Sequence, residues 1–238
     1  MTQSTNTKNP SPFFIKRILL FLSIFLVFSF GFVPIVVLGV IVYYFLTIPL
    51  LWYLLLLPFL LIATIIIVLA SQILISGVII KICKLWYKPG TYEYTFQNKT
   101  AFRWILFCAL YTPCRKLLEI FPITSLRQVY YELLGMKIGK NCLLGGVIKD
   151  PCVTIFGHHV TMGEYAIIYG HIHNYEKGTI TIKEVHIGNN CIIGAGAIIM
   201  PGAILQDSVT VAAGAVVTGN QILQQGKNYG GVPSQELK

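Results

Sequence analysis

The feature that most restricts the fold is a spacing of six residues in the C-terminal half of the sequence. Eleven of the twelve key residues in two runs are apolar; they are Ile138, Leu144, Asp150, Phe156, Met162 and Ile168, then Ile187, Ile193, Ile199, Leu205, Val211 and Val217. Glycine often follows the key residue. A period of six matches neither the α-helix nor the coiled-coil heptad. It predicts short strands on the flat sides of a parallel β-helix, with three hexads per coil and about four coils.

The spacing is interrupted between Ile168 and Ile187, which lie nineteen residues apart. Because three hexads make a coil of about 18 residues, the second run resumes one residue out of phase. We therefore predict a loop over residues 174–186 between two coils. His173 closes the interrupted hexad, and His171 precedes it by two residues.

The N-terminal part of the chain is far more apolar than the rest. Residues 18–80 are 63 consecutive positions without a charged side chain. One helix of that length would measure roughly 95 Å, about three times the thickness of a bilayer core, and the run is too long for a secretory signal. We predict an α-helical membrane hairpin over residues 1–88, with transmembrane helices over about residues 18–48 and 50–80. The turn is expected at Pro49, and kinks at Pro34 and Pro58.

Basic residues flank both ends of this uncharged run, and none lies at the predicted turn. They are Lys8, Lys16 and Arg17 before it and Lys81, Lys84 and Lys88 after it. The positive-inside rule therefore places both ends and the C-terminal domain in the cytoplasm, where basic residues can contact lipid head groups. This bias accounts for much of the net charge of +9. No nucleic-acid-binding signature accompanies it, so we expect no nucleic-acid partner.

Residues 89–135 interleave aromatic and basic side chains and contain Pro113 and Pro122, where we expect breaks. Short juxtamembrane amphipathic helices are expected here. Their role stays open: they lie in the membrane interface with snorkelling basic side chains, or they pack on the next domain. The side chains concerned are Trp104, Phe107 and Tyr111 with Arg103, Arg115, Lys116 and Arg127.

Residues 136–238 resemble the hexapeptide-repeat acyltransferases. The resemblance rests on VHIGNNCIIGAGAIIMPGAI, on VAAGAVVTGN and on the ending GGVP. It implies a left-handed parallel β-helix, a homotrimer, and transfer of an acyl group from acetyl-CoA, or another acyl-CoA, to a hydroxyl of a sugar, a glycan precursor or a small amphiphile. A membrane segment before such a domain is also similar to the C-terminal part of poly-lysine synthetase-type enzymes.

The resemblance to galactoside and maltose O-acetyltransferases assigns the catalytic base to His173, because their histidine likewise closes a hexad before an extended loop. An imidazole can take the proton of an attacking hydroxyl and then pass it to the departing thiolate. For the oxyanion, the resemblance points to the backbone N–H of Ala195. His171 and Glu176 are secondary candidates for catalysis or substrate binding; the alternatives are a structurally satisfied histidine and a solvated loop carboxylate.

The family binds coenzyme A between neighbouring subunits, with the pantetheine arm along the coils. The resemblance implies that the arm is lined by Gly194, Ala195, Gly196, Ala212, Ala213 and Thr218, and that Lys227 meets the nucleotide phosphates. After Thr218 the sequence GNQILQQGKNYGGVPSQ departs from the family, since it lacks the usual Lys-Asp-x-Pro.

Two other functions fit parts of the sequence. A non-catalytic trimeric β-helix could cluster membrane hairpins or recruit a partner. A γ-type carbonic anhydrase has the same fold but needs three imidazoles around zinc. His159 and His171 are twelve residues apart instead of eighteen, so we expect them on different sides of the β-helix and expect no metal site.

Overall fold

The computed structural model describes residues 12–47, 52–121 and 124–237. Within them, an α-helical part precedes a β-helix. The helices are α1 (Pro12–Gly31), α2 (Val33–Leu46), α3 (Trp52–Ile82), α4 (Lys99–Ile120) and α5 (Thr124–Leu133), with a 3-10 turn at Pro151–Val153. The turn predicted at Pro49 lies outside the described residues.

Helices α1 and α2 form one apolar arm, and α3 forms the other. The stretches Phe14–Tyr44 and Leu55–Ile82 are long and apolar enough to cross a bilayer, and only 11% and 17% of their most apolar windows are buried. Near the middle of the pair, Gln72 Nε2 donates to the carbonyl oxygen of Phe28 at 3.0 Å. The two-arm arrangement agrees with the predicted hairpin, although the arms begin and end a few residues away from the predicted bounds.

The two prolines in the arms behave differently. The first arm is interrupted at Phe32, and Pro34 follows in the first turn of α2, where an absent backbone N–H breaks no helical hydrogen bond. Helix α3 continues through Pro58 without a break.

The last third of α3 packs against α4 and α5. Ile73, Ser76 and Ile80 are fully buried there. The hydroxyl of Ser76 lies 2.9 Å from the hydroxyl of Tyr130 and 3.1 Å from the sulfur of Cys114. The apolar arms are therefore joined to the following helices by a core and not only by a linker.

Helix α4 begins at a cap, because the side-chain oxygen of Asn98 accepts the backbone N–H groups of Thr100 and Ala101. The break predicted at Pro113 is wrong, since α4 continues through that residue. A proline inside a helix costs about 3 kcal/mol, and the buried residues of α4 on both sides of Pro113 offset that cost. Pro122 lies outside the described residues.

The aromatic and basic side chains of this segment pack within the protein. Trp104, Phe107, Tyr111 and Arg115 are buried. The guanidinium group of Arg127 donates to the carbonyl oxygens of Leu118, Leu144 and Gly145. Of the two roles left open by the sequence, packing on the next domain is the one that these contacts support.

The strands after α3 are short. In chain order they are β1 (Gly90–Glu93), β2 (Lys137–Ile138), β3 (Leu143–Leu144), β4 (Val147–Ile148), β5 (Thr154–Phe156), β6 (Thr161–Met162), β7 (Ile167–Ile168), β8 (His171–Asn174), β9 (Thr179–Ile182), β10 (Val185–Ile187), β11 (Ile192–Ile193), β12 (Ile198–Ile199), β13 (Ile204–Leu205), β14 (Thr210–Val211), β15 (Val216–Val217), β16 (Ile222–Leu223), β17 (Asn228–Gly230) and β18 (Gln235–Glu236).

Three parallel sheets form the faces of the β-helix. The first face is β2, β5, β10, β13 and β16; the second is β3, β6, β11, β14 and β17, with β18 added antiparallel; the third is β4, β7, β12 and β15. The apolar spacing of six continues through Leu223 and Tyr229, which are buried. The predicted four coils are therefore followed by two faces of a fifth.

The interior positions of the coils are filled by the apolar key residues, and from Leu144 to Val217 none of these is more than 3% exposed. Asp150 is the exception in both sequence and structure. Ile148, not Asp150, pairs with Ile168 and points inward on the third face. The first coil therefore reaches the third face two residues earlier than the spacing of six predicts. The chain turns at Gly146, where a Cβ atom would lie 2.3 Å from the carbonyl oxygen of Ala166.

The interruption of the repeat is an ordered hairpin. Strands β8 and β9 pair antiparallel, and β9 also pairs antiparallel with β1. The predicted loop over residues 174–186 therefore contains regular structure and begins three residues earlier, at His171. Because β1 precedes α4, this small sheet brings residues from before the β-helix to the edge where the repeat stops.

Candidate active site

Two edges of the β-helix matter for the site. The histidine corner follows the third face and includes Asp150, Gly170 and Gly219; the glycine corner follows the second face and includes Gly145, Gly163, Gly194 and Ala212. The third face lies between the two corners.

A buried carboxylate lies at the histidine corner. Asp150 is 0% exposed. One of its oxygens accepts the backbone N–H of Gly170 at 2.8 Å and lies 2.6 Å from Nδ1 of His171. The other accepts the hydroxyl of Tyr87 at 2.7 Å and the indole N–H of Trp104 at 3.1 Å. These contacts hold the His171 ring in one orientation and leave its Nε2 directed away from the carboxylate.

The pKa of Asp150 follows from opposing effects. Burial by itself raises the pKa, but the hydrogen bond and charge of His171, with the bonds from Tyr87 and Gly170, outweigh it. The pKa of Asp150 is therefore below its ordinary value. A charged carboxylate is tolerated in this position because it accepts several hydrogen bonds.

His173 lies on the same side of β8 as His171, because side chains two residues apart on a strand point the same way. The two imidazole centroids are 5.4 Å apart. Around His173 lie the rings of Tyr94 at 4.7 Å, Trp104 at 5.2 Å and Tyr175 at 5.8 Å. Burial, and secondly the charge of His171, lowers the pKa of His173. An imidazole of this kind is unprotonated at neutral pH, as a general base must be.

Sequence reasoning missed three of these residues. Asp150 carried a signal, as the one polar residue among the twelve key positions. Tyr87 and Trp104 carried none, because they precede Asp150 by 63 and 46 residues in parts of the chain without a repeat.

Ala195 lies at the glycine corner. A Cβ atom on Gly163 would lie 2.6 Å from the Ala195 nitrogen, so only glycine lets these coils approach so closely. Ala195 is exposed, and within residues 124–237 and the two earlier described ranges its backbone N–H has no hydrogen-bond acceptor. In one chain, Ala195 and His173 are on opposite edges of the third face.

A cavity of about 730 Å³ opens beside the glycine corner. Its wall includes Gly145, Gly163 and Tyr165 together with Glu119 and Arg127, and no histidine lines it. The cavity and the imidazole pair are therefore separate features of a single chain.

The other predicted coenzyme A residues divide between the two corners. Gly194, Gly196, Ala212 and Ala213 lie at the glycine corner, whereas Thr218 lies at the histidine corner, where its backbone N–H donates to the Gln221 side chain at 2.9 Å. One chain does not bring Thr218 together with the rest.

Two predicted polar residues make no hydrogen bond or ion pair with either imidazole among the described residues. The Lys227 ammonium group contacts the Glu236 carboxylate at 2.7 Å, and this hydrogen bond raises the pKa of Lys227. Glu176 is exposed in the turn between β8 and β9, and it has no hydrogen bond or ion pair in the described parts of the chain.

The histidines do not gather as a metal site would require. His159 lies between the first and second faces, and His171 lies at the histidine corner, as their spacing predicts. In the part of the chain that the structure describes, no three His, Cys, Asp or Glu residues form a group that could hold a metal ion.

Comparison with known proteins places the repeat in a known class. Residues 184–219 match the family model described as bacterial transferase hexapeptide (six repeats). The chain is 26% identical over 149 residues to a delta-poly-L-ornithine synthetase from Acinetobacter baumannii, covering 59% of this chain. It spans only 10% of the length of that relative.

Two solved structures are similar to the β-helix part. One is a maltose O-acetyltransferase from Clostridium difficile 630, with 25% identity, a TM-score of 0.41, and coverage of 53% of this chain and 84% of that chain. The other is a hexapeptide-repeat acetyltransferase from Vibrio cholerae O1 biovar eltor complexed with acetyl coenzyme A, with 20% identity, a TM-score of 0.38, and coverage of 47% and 76%. The match of residues 184–219 to the bacterial transferase hexapeptide model confirms the resemblance to the hexapeptide-repeat acyltransferases that the sequence indicated.

Proposed function

We propose that this protein is a membrane-anchored, CoA-dependent O-acyltransferase. It transfers an acetyl group from acetyl-CoA to a hydroxyl of a sugar, a glycan precursor or a small amphiphile. The observation that carries the proposal is the imidazole pair at the histidine corner, with His171 held by the buried Asp150 and His173 beside it. A scaffold has no use for a buried charge, since an apolar residue there would be at least as stabilising.

In the proposed reaction His173 is the general base. It takes the proton of the acceptor hydroxyl as that oxygen attacks the thioester carbonyl, so a C–O bond forms. When the C–S bond breaks, the same imidazole gives the proton to the thiolate, which leaves as CoA–SH. The products are the acetyl ester and free coenzyme A.

His171 is the second candidate for the base. Asp150 holds its Nδ1, and a carboxylate that orients an imidazole in this way is a recurring arrangement in general base catalysis. We assign the role to His173 because its lowered pKa keeps it unprotonated at neutral pH, and because His173 closes the interrupted hexad. In this assignment His171, held by Asp150, lies beside His173, and its charge adds to the effect of burial in lowering the pKa of His173.

We propose that the active site forms between copies in a homotrimer of left-handed β-helices. In a ring of three identical copies, each copy makes the same contact with the next one. In the proposed trimer this contact places the glycine corner of each copy against the histidine corner of the next. The backbone N–H of Ala195 in one copy then donates to the oxyanion formed next to His173 of its neighbour. The cavity beside Gly163 would receive part of coenzyme A.

We also propose that the two apolar arms cross the membrane, with both ends of the chain in the cytoplasm. The basic residues at both ends of the uncharged run support this orientation. Reporters at either terminus should then become accessible only after cells are permeabilised; labelling of intact cells would refute it.

The activity is tested with the full chain purified in detergent. Release of the CoA thiol from acetyl-CoA is measured with a panel of hydroxyl acceptors, and amines serve as a comparison. Acceptor-dependent thiol release with a matching acetyl ester supports the proposal. No acyl transfer to any acceptor, from protein that is folded and trimeric, would favour the non-catalytic scaffold.

A further inference from the structure

The segment that contains Tyr94 and Trp104, whose rings lie beside His173, also contacts the start of α1. The ammonium group of Lys16 donates to the carbonyl oxygen of Phe96 at 2.7 Å and lies 5.6 Å from the centroid of the Phe102 ring. The guanidinium carbon of Arg17 lies 5.7 Å from the Phe96 ring centroid. The second turn of α1 is therefore packed on residues 96–102.

The residues next to this contact reach His173. Tyr94 precedes Phe96 by two residues, and Trp104 follows Phe102 by two residues on α4; both rings are within 5.2 Å of His173. Two residues span about 7 Å of extended chain and about 3 Å along a helix axis. The site is therefore a short distance from the basic turn of α1.

That basic turn marks the edge of the apolar arm. Lys16 and Arg17 are the last charged residues before the uncharged run of residues 18–80. Beyond them Ile18, Leu19 and Phe21 are 49%, 54% and 74% exposed, so the described protein leaves about half or more of each side chain uncovered. Basic residues next to an exposed apolar helix lie at the level of lipid head groups.

The exposed rings at the site fit the same location. Tyr94 is 41% exposed and Tyr175 is 87% exposed, although both contact His173. Tyrosine is enriched where a membrane protein meets the head-group region. The two exposed tyrosine rings at the site therefore suit the membrane–water interface, which accommodates both an apolar ring and a polar hydroxyl group.

Resting on the proposed acyltransferase activity, we infer that the acceptor is lipid-borne. It is an amphiphile whose hydroxyl-bearing head group enters between the β8–β9 hairpin and the second turn of α1, while its apolar chains stay in the bilayer. The hydroxyl loses its proton to His173 and becomes the acetyl ester, and coenzyme A leaves as the thiol.

The position of the site is tested without any activity. A fluorescent amino acid replaces Tyr175, or Gln225 in the last coil as the control, and each protein is reconstituted into phosphatidylcholine vesicles. Nitroxide lipids labelled at the head group should quench the fluorophore at position 175 at least twofold more than that at position 225. Equal quenching would overturn the inference, because the site would then be no closer to the lipid surface than the far end of the β-helix.

The class of acceptor is tested with matched pairs in the same vesicles. Dodecyl maltoside is compared with maltose, and phosphatidylglycerol with glycerol 3-phosphate, at equal total concentration and with acetyl-CoA. We expect at least tenfold more acetyl ester from the lipid-borne member of a pair. Equal acetylation of the soluble members overturns the lipid inference and leaves the acyltransferase proposal intact, whereas no acetylation of any acceptor, with no thiol release, overturns both.

Discussion

In the proposed mechanism the carboxylate of Asp150 and the imidazoles of His171 and His173 have separate tasks. Asp150 is enclosed by four donors, so it remains charged and fixes His171. His173 has aromatic neighbours and its pKa is lowered, so it is available to accept a proton. This division is the reason that substitutions at the two histidines should have different consequences.

Replacing His173 with Ala should lower the turnover number by about two to four powers of ten, the usual loss when a general base is removed. The thermal midpoint and the oligomeric state should stay close to those of the wild type, because the ring is partly exposed and makes no side-chain hydrogen bond within the described chain. Acetyl transfer and thermal unfolding are measured together. His186→Ala is the control, since His186 is exposed beside Glu184. Full activity of His173→Ala would exclude it as the base.

The pH dependence follows from the lowered pKa of His173. Because the unprotonated ring is the active form, kcat/KM should rise with pH through a value below 6.5 and be level at neutral pH. His171→Asn removes the charge that lowers this pKa, so the rise should move to higher pH. Profiles of kcat/KM between about pH 5 and pH 8 measure both. A complete loss of activity in His171→Asn, with His173→Ala still active, would make His171 the base.

At the scale of elements, the two-residue strands depend on corners that bring successive coils together. The glycine corner shows this, because Gly163 and Gly194 each face the backbone of the next coil at a distance that leaves no room for a side chain. The interrupted hexad shows the opposite case, in which β8 and β9 leave the β-helix and pair with β1. The close approach of successive coils at the glycine corner therefore contributes to the stability of the β-helix.

Gly163→Ala should destabilise the β-helix by roughly 1–3 kcal/mol, because the added methyl group would overlap the backbone of Ala195. We expect a lower thermal midpoint and, since Ala195 is displaced, slower acyl transfer. Gly219→Ala is the matched control at the histidine corner, where the added Cβ would meet one carbonyl oxygen at 3.2 Å. Similar thermal midpoints for the two variants would contradict this prediction, because they would show that the backbone at the glycine corner can shift to accommodate the methyl group.

At the scale of the whole molecule, contacts cross the predicted boundary at residue 88. The last third of α3 is buried against α4 and α5, and Tyr87 donates to Asp150 inside the candidate site. A boundary between independent units would predict that removal of residues up to about Lys84 releases a more soluble domain. With Ile73 and Ile80 gone, the buried faces of α4 and α5 would be uncovered, and the truncated protein should aggregate in size-exclusion chromatography.

The proposed trimer predicts that two inactive variants can complement each other. His173→Ala lacks the base, and Ala195→Pro lacks the N–H donor, so each alone should be inactive. In a mixed trimer a site with His173 from one copy and Ala195 from the next is complete, and equal random mixing should restore about a quarter of wild-type activity. Native mass spectrometry should show three chains. A fully active monomer, or no recovery in trimers shown to be mixed, would refute the site between copies.

The sequence by itself determined the periodic and strongly apolar parts of this protein. A residue such as Ile199 needs only the coils above and below it to be buried, so its hexad position predicts its environment; the 63 uncharged residues likewise predict two apolar arms from length and composition. The sequence also located the imidazole pair, because the repeat stops there.

Only the tertiary structure decided what surrounds that pair. The bonds from Tyr87 and Trp104 to Asp150 join residues that are 63 and 46 positions apart. The contact of Lys16 with Phe96 spans 80 positions. Such contacts belong to no repeat, and they form because α1 and α3 pack on α4, and α4 in turn contacts the first coil. No local pattern records this packing, since each of these side chains would suit many other surroundings equally well.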